Sequence, residues 1–477
     1  MSSGPRSILA NAGYRLFADV ASKVASLAFF VVMARELGNS RFGIFTFALA
    51  FVILATTLGN FGQDVVLTRE VARDRARLGG YFANTLALKI VLATISLIVS
   101  IGVAAAAGVD RETLEVLLLL GPAVTLELLM ATCFAAYQAF ERLEFIPIAL
   151  ISQRFVTAAA GIAALLSGAG VVTVSAIYLA GSGLGFALAL WFLVRKIARP
   201  GLEVEPRRWW PLMRASFAIG LAGVFAVVFF RIDTAMLAAF KPKDVVGDYG
   251  AAYRLFEATL FVAWSVGAAV YPVFSRLTTT SVPPVGLVFQ RSLKLVVALT
   301  LPLAAGGLVL AGPLMRLLYG SSYENGATAL RLLTPAIALY PLCYVAGYLL
   351  VSQDRQRVLT WVYGLVALEN ILANLVLIPW LSLNGAALSS SISQLLVAVA
   401  LVVFAQRTAG RLAWGRIAAG PVVATLLAAG TMAALRDELA LAIATGTAVY
   451  LVALGLFERF LFPEDARAVL NLLPRRA

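Results

Sequence analysis

The sequence predicts an all-α polytopic membrane protein, and three observations support this fold class. Apolar runs of about 20 residues follow one another along nearly the whole chain, and that is the helix length needed to cross a hydrocarbon core roughly 30 Å thick. Hydrophobic residues make up 61% of the 477 residues and charged residues only 13%. Lys and Arg collect in alternate loops between the runs. We therefore expect about fourteen transmembrane helices and no sizeable soluble domain.

The apolar runs define the helices in chain order, and the loops between them are short. The predicted spans lie near 8–34, 42–62, 81–107, 113–137, 145–167, 170–194, 212–240, 249–275, 290–318, 327–351, 357–380, 384–405, 412–434 and 438–458. Few residues precede the first span and no small-residue cleavage site follows it. We interpret it as a retained helix and not as a signal peptide.

The basic residues predict the orientation of these spans. With the N-terminus in the cytoplasm, most Lys and Arg residues fall in cytoplasmic loops, with dense groups at 69–77 and 195–214. Under the positive-inside rule, and with an even number of spans, both termini should face the cytoplasm. The net charge of +13 is spread over these loops and forms no single patch, so we expect membrane lipids and no nucleic acid as partners.

The longest polar stretch divides the chain into similar halves, RKIARPGLEVEPRRWWP at Arg195–Pro211. Some residues recur at comparable places in both halves: Gly43, Phe45 and Ala48 with Gly247, Tyr249 and Ala252 at one constant offset, and Lys89 with Lys294. Such similarity is typical of transporters built from parallel repeats. We predict a six-helix lobe at 1–196, a cytoplasmic linker at 197–211, a second six-helix lobe at 212–406, a central cavity between the lobes, and two peripheral helices with a cytoplasmic tail at 407–477.

Charged residues inside a membrane span are costly and so are candidates for function. The first span carries Arg15, Asp19 and Lys23, which lie four residues apart and therefore share one helical face. One interpretation is a salt-bridge ladder in which Asp19 neutralises both neighbours. We favour the other, a polar stripe that faces a wet cavity, because one acid does not neutralise two bases.

The seventh and eighth spans carry a second charged group. Arg254 and Glu257 are i, i+3 neighbours and either pair with each other or line the cavity. Arg231 and Asp233 point to different faces of their helix and should find partners elsewhere.

Single charges occur in other spans. We predict that Arg154, deep in the fifth span, lines the cavity, and that Lys89, near a cytoplasmic end, snorkels to the interface. The remaining acids and nearby amides are interpreted as groups that bridge helices: Glu127, Glu369, Asn370 and Asn374.

The net intramembrane charge is cationic, which predicts an anionic solute. Its basic members are Arg15, Lys23, Lys89, Arg154, Arg231, Arg254 and Arg316. Arginine binds phosphate oxygens in a bidentate manner and lysine adds a point charge, so a diphosphate head group is the predicted substrate feature. The chain has no histidine, and its two cysteines fall in apolar spans. We expect no metal, no cofactor and no catalytic residue.

Several segments together resemble the polysaccharide flippase family (Wzx-type) of the multidrug/oligosaccharidyl-lipid/polysaccharide exporter superfamily. They cover roughly residues 5–405: ARELGNSRFGIFTFALA, GNFGQDVVLTREVAR, FRIDTAMLAAF with VGDYGAAYRLFE, YPVFSRL, LMRLLYGSSYENGATALRLLTP and NILANLVLIPWLSLNGAALSSSISQ. In related lipid II flippases, cavity arginines on the first, second and eighth helices matter. Arg15 or Lys23 could fill the first role and Arg254 the third, but the second span holds no basic residue, which argues against lipid II itself.

The resemblance implies a non-enzymatic transporter of a prokaryotic plasma (inner) membrane. It would flip undecaprenyl-diphosphate-linked oligosaccharide to the outer leaflet by alternating access, for cell-surface polysaccharide synthesis. A glycan polymerase or another assembly protein is an expected partner. The predicted substrate-binding residues are Arg15, Asp19, Lys23, Arg154, Arg231, Asp233, Arg254 and Glu257.

Three other functions fit less well. A cation-coupled drug exporter of the same superfamily needs free membrane carboxylates, whereas Asp19 is flanked by Arg15 and Lys23. A membrane glycan polymerase or ligase needs a large outer loop, whereas the outer loops here are short. A scaffold for glycan-assembly enzymes is the third alternative.

Overall fold

The fold is helical throughout the part of the chain that the structure describes. The structure, a computed structural model, describes residues 5–201, 203–277 and 285–461. These ranges contain α-helices and no strand. The side chains of residues 5–21 and a few later ones lie outside the described part. The predicted all-α fold class is confirmed.

Fifteen α-helices are present in the described ranges. Their bounds are α1 Pro5–Thr56, α2 Gln63–Arg73, α3 Leu78–Ala106, α4 Arg111–Ala139, α5 Phe145–Leu166, α6 Val171–Phe192, α7 Trp209–Phe240, α8 Lys243–Thr259, α9 Phe261–Leu277, α10 Val285–Tyr319, α11 Gly326–Ser352, α12 Gln356–Leu381, α13 Leu383–Ala409, α14 Trp414–Ala434 and α15 Leu439–Leu461.

Twelve of the described helical segments are long and apolar enough to cross a membrane. The first of them contains two predicted spans, because α1 turns at Gly38, where φ is 71°. Glycine adopts this conformation without a Cβ clash. Two helices of 17 residues, α8 and α9, together occupy the predicted span at 249–275. The helices therefore agree with a prediction of about fourteen spans, and the protein is a multi-pass membrane protein.

The chain forms two compact units, residues 1–250 and 251–477. In the first unit, α4 packs against α1 and α6, and α5 also contacts α1 and α6. In the second unit, α11 packs against α9, α10 and α13, while α12 packs on α13. The boundaries of the two six-helix lobes stay a prediction.

The core of the first unit is built around Tyr137 on α4. Its side chain is fully buried, its hydroxyl donates to the carbonyl of Ala189 on α6, and its ring meets Phe145 of α5 edge-on. A buried hydroxyl needs such a partner where water is absent. This contact joins three helices, and the free thiol of Cys133 lies in the same cluster.

The last helix, α15, is joined to α10 by polar contacts. On α15, Glu458 accepts from Lys294 Nζ of α10 at 2.5 Å, and the Tyr450 hydroxyl donates to the Ala298 carbonyl at 2.5 Å. The sequence predicts the last two helices to be peripheral packing helices with few polar residues. One of those few, Glu458, provides a counter-ion to a lysine in a membrane helix.

Candidate functional sites within the helices

The predicted snorkelling of Lys89 is wrong. Its side chain is fully buried on α3, and Nζ donates to Asp64 Oδ2 at 2.6 Å, to Thr132 Oγ1 at 2.9 Å and to the Leu128 carbonyl at 3.1 Å. Asp64 lies in the first turn of α2, where the helix dipole also favours a carboxylate. An ion pair so enclosed holds helices together, and it leaves Lys89 no free donor for a solute.

Glu127 on α4 lies at the centre of a second polar cluster. Its Oε1 accepts hydrogen bonds from Gln153 Nε2 of α5 at 2.8 Å, and from Tyr178 Oη and Ser182 Oγ of α6 at 3.1 and 3.4 Å. The predicted bridging role of Glu127 is therefore present: three helices meet at one carboxylate. All three donors are neutral.

Arg154 of α5 lies half-buried beside this cluster. Its guanidinium donates to Ser26 Oγ of α1 at 3.3 Å. Arg154 and Glu127 both line a small cavity of about 20 Å³, but they are not within ion-pair distance of each other in the described structure. Arg154 is thus an intramembrane cation whose side-chain partner is a neutral hydroxyl.

The charged stripe of the first span is only partly described. Lys23 is half-buried on α1 and has a partner. The side chains of Arg15 and Asp19 lie outside the described residues. Whether the three charges face a cavity stays a prediction.

On α7, Asp233 is fully buried and accepts a hydrogen bond from the hydroxyl of Tyr249 on α8. It also accepts from its neighbour Thr234, from the backbone N–H at 2.6 Å. Asp233 therefore fastens the end of α7 to α8. Arg231 is half-buried and also has a partner.

On α8, Arg254 and Glu257 form the ion pair that their spacing allows, at 2.7 Å, and both side chains are largely buried. Arg316 lies near the end of α10, where it is exposed and 3.7 Å from Glu324. Among the described cations of the second half, Arg254 is largely buried, Arg231 is half-buried and Arg316 is exposed. The role of Arg254 in binding stays a prediction.

Amide and hydroxyl groups join α12 to α13. Asn370 Nδ2 donates to Ser389 Oγ at 3.2 Å and to Ser393 Oγ at 3.0 Å. Ser393 Oγ donates to Glu369 at 2.7 Å, and Asn374 donates to Asn370 at 3.0 Å. Glu369 and Asn370 thus have the predicted bridging role, whereas the hydrogen bond of Asn374 stays within α12.

The repeat-related glycines meet one another. A Cβ added to Gly43 of α1 would collide with the Lys243 carbonyl, and one added to Gly247 of α8 would collide with the Asn39 carbonyl. The contact is reciprocal, because the offset from Asn39 to Lys243 equals the offset from Gly43 to Gly247. The helices cross backbone to backbone on the side that the sequence predicts to be outside, with Lys243 Nζ 2.5 Å from Asp110 Oδ1.

A cavity of about 640 Å³ lies on the opposite, predicted cytoplasmic side of the first unit. Its lining residues are Val66, Arg69, Glu70, Gly80, Tyr81, Asn84, Arg207, Arg208, Pro211, Leu212 and Ala215. This is within the usual volume range of small-molecule sites, about 300–1,000 Å³.

Asn84 on α3 holds the linker over this cavity. Its Oδ1 accepts from the Glu205 backbone N–H at 2.8 Å and from Trp209 Nε1 at 3.2 Å, and its Nδ2 donates to the Glu203 carbonyl at 3.3 Å. Asn84 is buried, so a single amide fixes the path of the linker.

The arginines around the cavity outnumber the acids. Glu70 is within 3.5 Å of Arg69, Arg73 and Arg77. Glu205 pairs with both Arg207 and Arg208, at 2.5 and 2.6 Å. Sequence reasoning counted these arginines as topology signals and missed the cavity. The available signal was two arginine-rich segments, at 69–77 and 195–214, on the same predicted side of the membrane.

The comparisons with known proteins identify a relative by sequence, solved structures of similar fold and a matching family model. A protein from Shigella dysenteriae described as "Putative O-antigen transporter" is 24% identical over 373 residues, which cover 73% of this chain and 87% of that relative. Among solved structures, the lipid II flippase MurJ in its inward closed conformation has a TM-score of 0.78 at 15% identity, over 94% of this chain and 99% of that one.

An inward-facing multidrug resistance transporter of the MATE family has a TM-score of 0.64 at 14% identity, over 83% of this chain and 97% of that one. These similarities show the fold. The family model "Polysaccharide biosynthesis protein" matches residues 8–278, more than half of the chain. The resemblance to polysaccharide flippases is confirmed, and the chain belongs to the polysaccharide biosynthesis protein family.

Proposed function

We propose that this protein moves a polyprenyl-diphosphate-linked oligosaccharide from the cytoplasmic to the outer leaflet of a prokaryotic plasma membrane, by alternating access. The family and the names of its relatives support a lipid-linked cargo. One relative is described as an O-antigen transporter and one structural neighbour as a lipid II flippase. Both descriptions concern glycans carried on lipids.

The observation that carries the proposal is Arg154. Its guanidinium lies half-buried in a membrane helix, and its side-chain partner is the neutral Ser26 hydroxyl. Among the residues that the structure describes, no carboxylate lies within ion-pair distance of this guanidinium, and an ionisable residue inside a membrane is by default a candidate for the substrate pathway. A guanidinium with unused donors suits a diphosphate, whose oxygens accept paired hydrogen bonds. Lys89, by contrast with Arg154, is fully paired and has no free donor for a substrate.

The large cavity beneath the linker would receive the head group first. Five arginines share three acids there, Glu70, Asp74 and Glu205, which leaves an excess of positive charge on the predicted cytoplasmic side. Anionic head groups gather at such a surface. In this proposal Arg69, Arg207 and Arg208 exchange their carboxylate partners for phosphate oxygens when a substrate arrives.

The crossing of α1 and α8 would close the outer side of the pathway. Its contacts are carbonyl-to-glycine and a half-exposed ion pair between Lys243 and Asp110, which can separate without stranding a buried charge. The polyprenyl tail stays in the bilayer throughout, so a lateral gap is required, bordered by the first and eighth spans. These are the helices on which the sequence predicts charged residues.

The test is flipping by purified protein in liposomes that contain a polyprenyl diphosphate oligosaccharide, followed by lectin access to the glycan. Arg154→Gln should lower the initial rate about 10- to 100-fold, because a hydrogen bond to a charged group contributes about 1.5–3 kcal/mol. Arg111→Gln is the matched control, since that arginine is 92% exposed and pairs only with Glu115 on its own helix. A normal rate in Arg154→Gln would overturn the role of Arg154.

Arg254 needs a different design, because removing it takes away a cation that pairs with the largely buried Glu257. Arg254→Ala should lower both flipping and the amount of folded protein. The double variant Arg254→Ala with Glu257→Gln restores folding by removing the stranded charge. If the double variant also restored flipping, Arg254 would be a structural residue and not part of the binding site.

A cation-coupled drug exporter is the second candidate. The MATE-like fold and the carboxylate of Glu127, which is held by neutral donors, favour it. Efflux of a cationic dye from the same liposomes, without any effect of the lipid-linked glycan, would support this function over flipping.

A further inference from the structure

We infer that Glu127, Gln153, Tyr178 and Ser182 form a binding site for one small monovalent cation, a proton or Na⁺. The site lies inside the first unit, where α4, α5 and α6 meet. Its existence does not depend on the identity of the cargo; its role as the energy-coupling site rests on the proposed function.

The first step in the argument is charge. Glu127 lies about 24 Å along α4 from Arg111, at 1.5 Å per residue, well inside a helix of membrane length. Among the residues that the structure describes, no Lys or Arg lies within ion-pair distance of its carboxylate. An ionised carboxylate in this position costs several kcal/mol unless it is neutralised. Three neutral hydrogen bonds to Oε1 lower that cost without removing the charge.

The second step is an unused acceptor. Gln153 is 4% exposed, its Nε2 donates to Glu127 at 2.8 Å, and its Oε1 has no hydrogen-bond partner. Buried amide oxygens are almost always satisfied, so an exception requires an explanation. A cation supplies it: Na⁺ would be coordinated by Gln153 Oε1. A proton on Glu127 would have the same effect through a reversed amide, because the carboxylic acid then donates to Oε1.

The third step is space. Glu127, Gln153, Tyr178 and Thr157 line the cavity of about 20 Å³, and a cavity of roughly 10–15 Å³ already holds one water molecule. The site therefore takes a single small occupant. The other charged or titratable groups that line it are Arg154 and Tyr178. Arg154 is held by Ser26, so it raises the cost of a bound cation and favours its release.

The fourth step is the close approach of α6. A Cβ on Gly181 would collide with Thr157 Oγ1, and a Cβ on Gly185 would lie 3.0 Å from Gln153 Oε1. These glycines let the α6 backbone come near enough for Tyr178 and Ser182 to reach Glu127. At Gly185 the oxygen Gln153 Oε1 therefore faces the α6 backbone where no side chain is present. The acceptor thus stays available for a cation.

The binding test needs no glycan. Purified full-length protein is titrated with NaCl by calorimetry at constant ionic strength, and its carboxyl stretch is followed by infrared difference spectroscopy across a pH series. Wild-type protein should show either saturable heat with Na⁺ or a protonated-carboxyl band that appears at low pH. Glu127→Gln should lose whichever signal is present. Glu115→Gln, an exposed acid on the same helix, should keep it.

The coupling test uses the flipping assay with an imposed Na⁺ or proton gradient. The rate in wild-type liposomes should rise with one gradient, and Glu127→Gln should flip at a rate independent of both. Gln153→Leu retains the carboxylate but removes the free acceptor, so it should weaken the signal that depends on Glu127 without abolishing it.

The two proposals fail differently. No Na⁺ heat and no Glu127-dependent carboxyl band in folded wild-type protein would overturn the cation site, whatever the protein transports. A clear cation signal without any flipping would keep the site and overturn the proposed cargo. A gradient response unchanged in Glu127→Gln would overturn the coupling role.

Discussion

Lys89 and Lys294 occupy comparable places in the two halves of the sequence, but the structure neutralises them in different ways. Lys89 is fully enclosed, and its counter-ion Asp64 comes from the short helix just before it in the chain. Lys294 keeps 15% of its side-chain surface exposed, and its counter-ion Glu458 comes from α15, 164 residues later. A lysine is found at the comparable place in both halves, but its counter-ion comes from a different helix in each.

This difference shows that a buried charge requires a counter-ion but does not determine which helix supplies it. In the first unit the partner is local, since Asp64 comes from α2, which also supplies Arg69 to the lining of the large cavity. In the second unit the last helix supplies it. We therefore infer that α15 stabilises the second unit electrostatically as well as by packing.

The largest expected effect is at Lys89. Lys89→Met strands Asp64 among buried groups and should destabilise the protein by about 3–5 kcal/mol, the usual cost of removing one partner of a buried pair. Thermal unfolding in detergent measures it. Lys89→Met combined with Asp64→Leu should recover most of the loss. Equal instability of the single and double variants would show that packing, and not charge, is responsible.

The effect at Lys294 should be smaller, because 15% of its side-chain surface stays exposed, whereas Lys89 is fully enclosed. We expect Lys294→Met to cost about 1–3 kcal/mol, the cost of leaving a polar group without its partner. Adding Glu458→Gln should reduce the cost. A loss as large as that of Lys89→Met would contradict the difference drawn between the two halves.

Unlike the two lysines, the two glycines at the crossing of α1 and α8 make equivalent contacts. Gly43→Ala and Gly247→Ala should each cost about 1–3 kcal/mol by overpacking against a carbonyl, and the two costs should be similar. Gly102→Ala is the control, because a Cβ there meets nothing within 4 Å. Clearly unequal losses at the two glycines would show that the contact is not reciprocal in energy.

The smallest effect concerns Asp110, which caps α4 outside the membrane. Burial alone would raise the pKa of this carboxyl, but hydrogen bonds from Lys243 and Thr113 outweigh it and hold the pKa below its ordinary value of 3.8. A lowered folded pKa gives stability that is present above pH 3.8 and is lost as the pH falls through the folded value. Because both partners are more than 40% exposed, we expect only a few tenths of a kcal/mol.

Asp110→Asn tests this contribution, since asparagine can still cap the helix. Its unfolding temperature should equal that of the wild type in strong acid and fall slightly below it at neutral pH. Glu115→Gln serves as the comparison. An identical difference at every pH would mean that the charge of Asp110 contributes nothing.

The spans, the all-α fold and the family were predictable from the sequence. A bilayer offers no hydrogen bonds to an open backbone, so apolar runs of membrane length must be helices. The bridging role of Glu127, Glu369 and Asn370 was also predictable, because polar groups in lipid form hydrogen bonds with neighbouring helices. The charged stripe at Arg15 and Asp19, which lies outside the described side chains, stays a prediction.

Only the tertiary structure decided which polar group meets which. The partner of Lys89 lies on the short helix α2, whose position against α3 is not given by hydropathy. The partner of Lys294 lies 164 residues away in the chain. The arginine-lined cavity joins two segments that are neighbours only after folding. Hydropathy is a property of single residues, so it determines each helix separately. A charge in a membrane is neutralised by a group on another helix, and which group that is depends on how the helices pack together.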